Sequence, residues 1–268
     1  MHKTYFGFKQ YPFGKDVAGT DLYLSRDVTG CQEQLTRLQQ HGGLGMMWGT
    51  PGSGKTACLR WLRDSLNQNR FRFYYLPDPP QSLSEFYRTV ATAMALRPEG
   101  RRAGNFRLLQ EHILDLSQEK HIMPIIVIDE SHDLPHPVLA AVRLLLNFDL
   151  DSRNHAVLLL CGQAELRRRL RLAVYEPLVQ RVVAHYQFTG LQTDEVEPYL
   201  RHRLALAGVQ DQLFEPGAAQ FIAQMGKGVP RQIDALATRA LAVAAGAKRK
   251  SVAQEHVEAA LPEILTTG

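Results

Sequence analysis

One eight-residue run constrains the fold of this chain more than any other feature: Gly49–Thr56 reads GTPGSGKT. It fits the pattern G-x-x-x-x-G-K-[ST], a P-loop, whose glycines let the backbone curl so that its N–H groups face a phosphate. The apolar residues 44–48 before it read as a buried strand, and Leu59, Leu62 and Leu66 after it have helical spacing. This strand–loop–helix order predicts an α/β fold that binds a nucleotide.

The positions of the loop predict separate contacts with ATP and Mg²⁺. Lys55 would reach the β- and γ-phosphates, and the Thr56 hydroxyl would ligate Mg²⁺. The helix that follows adds the positive end of its dipole. We therefore expect the nucleotide to be bound by Thr50, Pro51, Gly52, Ser53, Gly54, Lys55, Thr56 and Ala57.

A second motif supplies carboxylates for the same site. The apolar run Ile125–Ile128 ends in Asp129 and Glu130. An all-apolar strand is typical of the centre of a parallel sheet, and ligands of such sheets bind at the carboxyl ends of the strands. Asp129 would hold Mg²⁺, directly or through water, and Glu130 would polarise the attacking water. The run Asp129–His132 also resembles the acidic box of helicases, but those enzymes need two RecA-like domains and this chain has one P-loop.

Composition excludes several classes of protein. The 268 residues are 45% hydrophobic and 22% charged, which is ordinary for a globular chain with one α/β domain and a smaller one. Cys31, Cys58 and Cys161 have no metal-type spacing, so we expect a reducing cytoplasm rather than disulfides. We see no signal core and no run near 18 apolar residues, so we expect no membrane partner. The net charge of +4 permits nucleic-acid binding without requiring it.

The order of apolar patterns predicts three regions. Residues 1–30 are aromatic and turn-rich and are expected to pack on the nucleotide domain. In 31–190, strands alternate with helices, which predicts a doubly wound parallel sheet with right-handed crossovers. In 191–268, glycine-punctuated helices follow without a strand, which predicts a small all-helical lid domain.

The individual elements are predicted as follows. The expected strands are 44–48, 71–76, 125–128, 156–161 and 185–188. The expected helices are 57–67, 82–96, 106–118, 138–148, 193–207, 216–225, 230–245 and 251–261.

Taken in order, the motifs resemble those of AAA+ ATPases, and more narrowly those of the ExeA/GspA-type group, which includes stand-alone ATPases encoded with transposases. The resemblance covers nearly the whole chain. Besides the P-loop and the acidic strand end, it is carried by the aromatic opening Tyr5–Phe13, by Leu160–Leu166 (LCGQAEL) and by Gly228–Arg231 (GVPR).

The resemblance implies roles for three more residues. Gln163 matches the sensor 1 position, which senses the γ-phosphate, and Arg231 matches sensor 2, which reaches the nucleotide of its own subunit. Arg231 opens a helix, where the dipole disfavours a cation, so a ligand role is favoured. Arg181 matches the finger arginine that is given to a neighbour's ATP. Its rivals for that role are Arg167, Arg168, Arg169 and Arg171.

The resemblance also implies an ATPase that forms a ring or filament of identical subunits, with two possible roles. The first is regulation of DNA transposition, in which the ATP-bound oligomer assembles on duplex DNA, recruits or activates a transposase or target-selection protein, and disassembles on hydrolysis. The second is assembly of a secretion machinery through protein partners. Secretion ATPases of the group continue into a membrane segment, which does not follow here unless the chain is truncated. A switch that hardly hydrolyses ATP is disfavoured by Glu130.

Duplex DNA is expected to contact a basic stretch between the second and third predicted strands. The stretch contains four arginines and one acidic residue, Glu99, so its net charge is positive. Asn105 is expected to cap a helix beginning at Phe106, so that the helix N–H groups face a phosphate. Such contacts would be with the DNA backbone and carry little sequence preference, and a solvated surface loop is the alternative. The arginines are Arg97, Arg101, Arg102 and Arg107.

Overall fold

The structure, a computed structural model, describes residues 2–148 and 153–261. The chain forms two compact units. The sheet unit comprises the described part of 30–49 and 62–188, and the lid unit that of 1–29, 50–61 and 189–268. This division groups the segment after Gly49 with the C-terminal helices, whereas the predicted boundaries follow chain order.

The sheet unit is built on five parallel strands in the order β2-β3-β4-β1-β5. The strands β3 and β4 are buried almost throughout, because both lie inside the sheet with neighbours on each side. The predicted parallel α/β fold is confirmed. The strands are β1 Gly43–Trp48, β2 Phe71–Leu76, β3 Met123–Ile128, β4 Val157–Gly162 and β5 Val182–Gln187.

Eight α-helices are assigned in the described residues 2–148 and 153–188. The long helix α2 was not predicted, because its buried stripe of Cys31, Leu35 and Leu38 is sparse and Gly30 interrupts it. The helices are α1 His2–Tyr5, α2 Arg26–His41, α3 Lys55–Ser65, α4 Leu83–Ala93, α5 Arg102–Leu114, α6 His136–Leu145, α7 Ala164–Leu170 and α8 Glu176–Val179.

The start of α5 corrects the expectation for Asn105. Helix α5 begins at Arg102, and Asn105 is buried in its first turn. The Asn105 side chain accepts a hydrogen bond from Glu99 N at 2.6 Å and donates one to Glu99 O at 2.9 Å. The Glu99 carboxylate lies against Gly104 and leaves no room there for a Cβ atom. The prediction that Asn105 caps a helix at Phe106 and directs its N–H groups at a phosphate is therefore wrong, because an acidic side chain of the protein occupies that turn.

The C-terminal part of the lid unit is helical, as predicted. Its helices enclose a core that includes Ile222, Ile233 and Leu241. Phe8 and Phe13 of the N-terminal segment lie in this same core, which differs from the expectation that the segment packs on the nucleotide domain. The helices bring many alanines to this core, which leaves space for large rings. These helices are α9 Thr193–Leu206, α10 Pro216–Gly226, α11 Pro230–Gly246 and α12 Gln254–Ala260.

Candidate nucleotide-binding site

The P-loop connects β1 to α3 and starts at the carboxyl edge of the sheet. Its first residue, Gly49, donates a backbone hydrogen bond to Gly162 O, at the end of β4, at 3.2 Å. Gly52 and Gly54 have φ angles of +82° and +108°, which side chains of L-residues rarely adopt. Gly52 and Gly54 are thus required by the backbone path of the loop.

The polar groups of the loop fit a phosphate. Lys55 is 8% exposed, and its ammonium donates to the Thr50 carbonyl at 3.0 Å. The Ser53 hydroxyl oxygen is buried and has no hydrogen-bond partner among the described residues. A buried polar group without a partner costs about 1–3 kcal/mol. A phosphate bound at the N-terminus of α3 would accept hydrogen bonds from this hydroxyl and from the lysine ammonium.

A cavity of about 570 Å³ in the lid unit opens beside the loop. Its volume lies in the range of small-molecule sites. One face of α11 lines it, and Arg231 at the start of that helix donates its backbone N–H to Gly52 O at 3.3 Å. A Cβ atom at Gly52 would lie 2.6 Å from the Arg231 Cβ. The structure therefore brings the predicted sensor 2 residue against the P-loop, and only glycine at position 52 permits this approach.

The turn that places Arg231 depends on two glycines packed against each other. Leu191 N donates to Gly228 O at 2.7 Å. A Cβ atom at Gly228 would lie 2.6 Å from Leu191 O, and one at Gly190 would lie 2.5 Å from Gly228 O. Pro230 then takes the first helical position, which its fixed φ favours. The run GVPR thus sets where α11 begins.

Three predicted residues follow adjacent strands at the carboxyl edge of the sheet unit. Because β3 and β4 are parallel neighbours, Asp129 and Gln163 emerge at the same edge. Glu130 has left-handed backbone angles of φ 47° and ψ 34°, and its half-exposed carboxylate lies 3.3 Å from His132 Nδ1. Left-handed backbone in a residue other than glycine costs free energy and is concentrated at functional sites.

Arg181 lies at the opposite edge of the same sheet. It precedes β5, a strand of six residues that runs parallel to β1. The two edges are therefore separated by about 20 Å, at 3.3 Å per residue. The Arg181 guanidinium donates to the Arg143 carbonyl at 3.3 Å. An arginine side chain is much shorter than the strand, so Arg181 does not reach the carboxyl edge of its own sheet.

Most rivals of Arg181 are engaged within their own subunit. The Arg167 guanidinium lies 5.5 Å from the centre of the Trp48 ring, and Arg168 forms an ion pair with Glu165. Arg169 donates to the backbone carbonyls of His132 and Leu134, which follow β3. Arg171 is exposed. Arg181 is engaged as well, through the Arg143 carbonyl, so its finger role stays a prediction.

Residues 37–170 match the sequence family described as an AAA domain, and this match covers half of the chain. The chain belongs to the AAA domain family. It is also similar to the general secretion pathway protein A of Aeromonas hydrophila, with 30% identity over 249 residues. The alignment covers 91% of this chain and 45% of that protein, so the chain spans less than half of its relative's length.

Solved structures share the fold of this AAA domain. Cdc6p from Pyrobaculum aerophilum superposes with a TM-score of 0.69 and 19% identity, over 94% of this chain and 70% of that one. The ORC1 protein of Aeropyrum pernix, solved in complex with DNA, has a TM-score of 0.68 and 17% identity, over 96% of this chain and 70% of that one. The RuvB Holliday junction branch migration motor of Thermotoga maritima has a TM-score of 0.57 and 16% identity, over 95% of this chain and 73% of that one. Among the described residues, no helix is both long and apolar enough to cross a membrane.

A buried network beside the cavity of the AAA domain was missed from the sequence. Arg203 donates to Asp234 at 3.1 Å, and the Tyr199 hydroxyl donates to the same carboxylate at 2.7 Å. Arg203 also donates to the carbonyls of Pro12 and Gly14 at 2.8 and 2.7 Å. Burial raises the pKa of Asp234, and the adjacent Arg203 opposes that rise. The network holds the N-terminal segment beside α11. Its sequence signal was the pairing of Tyr199 and Arg203 one helical turn apart.

The four arginines of the basic stretch are all exposed. Arg97 and Arg101 lie in the connection from α4 to α5, and Arg102 and Arg107 lie on α5. The side chains therefore face solvent, where a polyanion could contact them.

Proposed function

We propose that this AAA domain is a cytoplasmic, Mg²⁺-dependent ATPase that assembles on duplex DNA and recruits or activates a transposase or target-selection protein. Hydrolysis would drive its disassembly. The observation that carries the ATPase part is the cavity beside the P-loop, where Lys55, the unpartnered Ser53 hydroxyl and Arg231 meet.

Each site residue has a chemical role in this proposal. Thr56 and Asp129 would hold Mg²⁺, which neutralises charge on the phosphates when it is bound. Glu130 would orient the attacking water and accept its proton. Gln163 would hydrogen-bond the γ-phosphate, and the Arg231 guanidinium would stabilise its developing charge.

The DNA part of the proposal is supported by the exposed arginines and by the resemblance to transposition ATPases. Replacing Arg101 and Arg102 together by alanine is expected to weaken binding to all DNA sequences alike, because backbone contacts carry no sequence information. The slope of log affinity against log salt should flatten by about one to two units. Fluorescence anisotropy of labelled duplexes over a salt series measures both quantities.

A charge-matched control is available in the lid unit. Replacing exposed Arg249 and Lys250 by alanine removes the same charge elsewhere. If the Arg101/Arg102 variant keeps the wild-type affinity and salt slope, or if both double variants behave alike, the basic stretch is not the DNA surface.

Self-association is supported by the position of Arg181 and by its surroundings. Arg181 lies away from the carboxyl edge of its own sheet, where a neighbouring subunit could approach it. Leu172, Val174 and Val179, just before it in the chain, are 58%, 59% and 41% exposed. These three side chains lie close together in the chain, and contiguous exposed apolar patches are typical of protein–protein contacts.

The finger role predicts an effect between subunits. Arg181→Ala subunits should bind ATP but fail to support hydrolysis at a neighbour's site. Mixing them with Lys55→Ala subunits should restore part of the activity, because some interfaces then combine an intact P-loop with an intact arginine. Phosphate release is measured across mixing ratios, with assembly checked by light scattering. Absence of rescue at every ratio would transfer the role to one of the arginines in 167–171 or to a mechanism within one subunit, and Arg171→Ala in the same mixture is the first comparison.

The second candidate is an ATPase that remodels protein partners during assembly of a secretion machinery. It is favoured by the 30% identity to general secretion pathway protein A. Measuring ATP hydrolysis with and without duplex DNA separates the two candidates. Stimulation by DNA supports the transposition role, and indifference to DNA supports the secretion role.

A further inference from the structure

The carboxylate of Asp129 has a partner on the neighbouring strand. The Tyr75 hydroxyl donates to Asp129 Oδ2 at 2.7 Å. The other oxygen, Oδ1, accepts the backbone N–H of Glu130 at 2.9 Å. Asp129 is 7% exposed, and a buried carboxylate is stabilised by hydrogen-bond donors of this kind.

The sheet register fixes the position of this tyrosine. Tyr75 pairs with Val127, and Asp129 N donates to Leu76 O at 2.9 Å. The tyrosine and the aspartate are therefore held by the same pair of parallel strands, β2 and β3. The aromatic ring is 39% exposed and lies outside the main apolar core, so its burial does not account for the tyrosine.

We propose that Tyr75 is a positioning residue for the magnesium site, which fixes the carboxylate of Asp129 so that its remaining lone pairs face the cation or its water. This inference rests on the proposed function. A carboxylate offers about four lone-pair sites, and two donors leave room for a metal-bound water or the metal. Groups that orient metal ligands in this way typically change metal affinity about 10- to 100-fold when they are removed.

The test uses Tyr75→Phe, which removes only the hydroxyl. Affinity for a fluorescent ATP analogue is measured over a Mg²⁺ series and in EDTA. We expect the affinity for the analogue in EDTA to be unchanged. The Mg²⁺ concentration that gives half of the Mg²⁺-dependent gain in affinity should rise about tenfold or more. Mn²⁺ binding in the presence of nucleotide, followed by electron paramagnetic resonance, should weaken by a similar factor. Tyr74→Phe is the matched control, because the adjacent residue of a strand points to the other face of the sheet.

Three results would overturn the inference. If Tyr75→Phe leaves the Mg²⁺ dependence unchanged, the hydroxyl does not position the carboxylate. If it strengthens metal binding, Tyr75 blocks the carboxylate instead. If Tyr74→Phe has an equal effect, the cause is packing of β2. If the nucleotide affinity of the wild-type protein does not depend on Mg²⁺, the proposed function itself is refuted. This result concerns the wild type, so it is distinguishable from the three results above, which concern the variants.

Discussion

Replacing Lys55 by alanine is expected to weaken ATP binding by about a hundredfold. The lysine ammonium is 8% exposed beside the P-loop backbone, where its contact with phosphate is sheltered from water. Hydrogen bonds to charged groups contribute about 1.5–3 kcal/mol, and 1.4 kcal/mol corresponds to tenfold in affinity. Titration with a fluorescent ATP analogue measures the loss.

The control for this variant is Lys250→Ala, which removes an exposed lysine of the lid unit. It should bind the analogue as the wild type does. Circular dichroism checks that both variants remain folded. Wild-type affinity in a folded Lys55→Ala protein would refute the assignment of the P-loop.

Glu130→Gln is expected to slow ATP hydrolysis by about a hundredfold or more while ATP binding is kept. The amide cannot accept a proton from water, and positioned general bases contribute about 10²- to 10⁴-fold. Because disassembly would require hydrolysis, the variant should also remain assembled on DNA after ATP is added. Phosphate release, analogue binding and sedimentation with DNA measure the three effects.

Asp133→Asn provides the comparison within the same turn. Its carboxylate is 65% exposed and lies near the same histidine, at 3.8 Å from His132 Nε2. We expect this variant to hydrolyse ATP at close to the wild-type rate. Normal turnover by Glu130→Gln, or equal slowing by both variants, would show that Glu130 does not position the water.

The central strands could be predicted from the sequence because their residues are apolar without interruption. The runs that became β3 and β4 have little alternative to burial inside a sheet. Helix α2 could not be predicted with the same ease, because its buried stripe is narrow and a glycine lies within it. The start of α5 was misjudged because Asn105 pairs with Glu99, and no local pattern reveals that pairing.

Part of the candidate site could likewise be predicted from the sequence, and part of it needed the structure. The P-loop could be predicted because its eight residues are contiguous and because Gly52 and Gly54 supply backbone angles that other residues rarely adopt. For the finger role, the resemblance favours Arg181, and its rivals in the sequence are Arg167, Arg168, Arg169 and Arg171. The structure adds that Arg181 lies just before β5, at the edge of the sheet opposite the carboxyl ends of the strands, which no local pattern reveals.

By itself the sequence determined the fold class, the P-loop and the carboxylates at the end of β3, since each depends on neighbouring residues and on short-range periodicity. Only the tertiary structure decided that Arg231 contacts Gly52, that Arg203 and Tyr199 share Asp234, and that Tyr75 holds Asp129. The physical reason is that these contacts join residues 31 to 179 positions apart in the chain, and the order of the strands and the packing of the helices decide which of them meet.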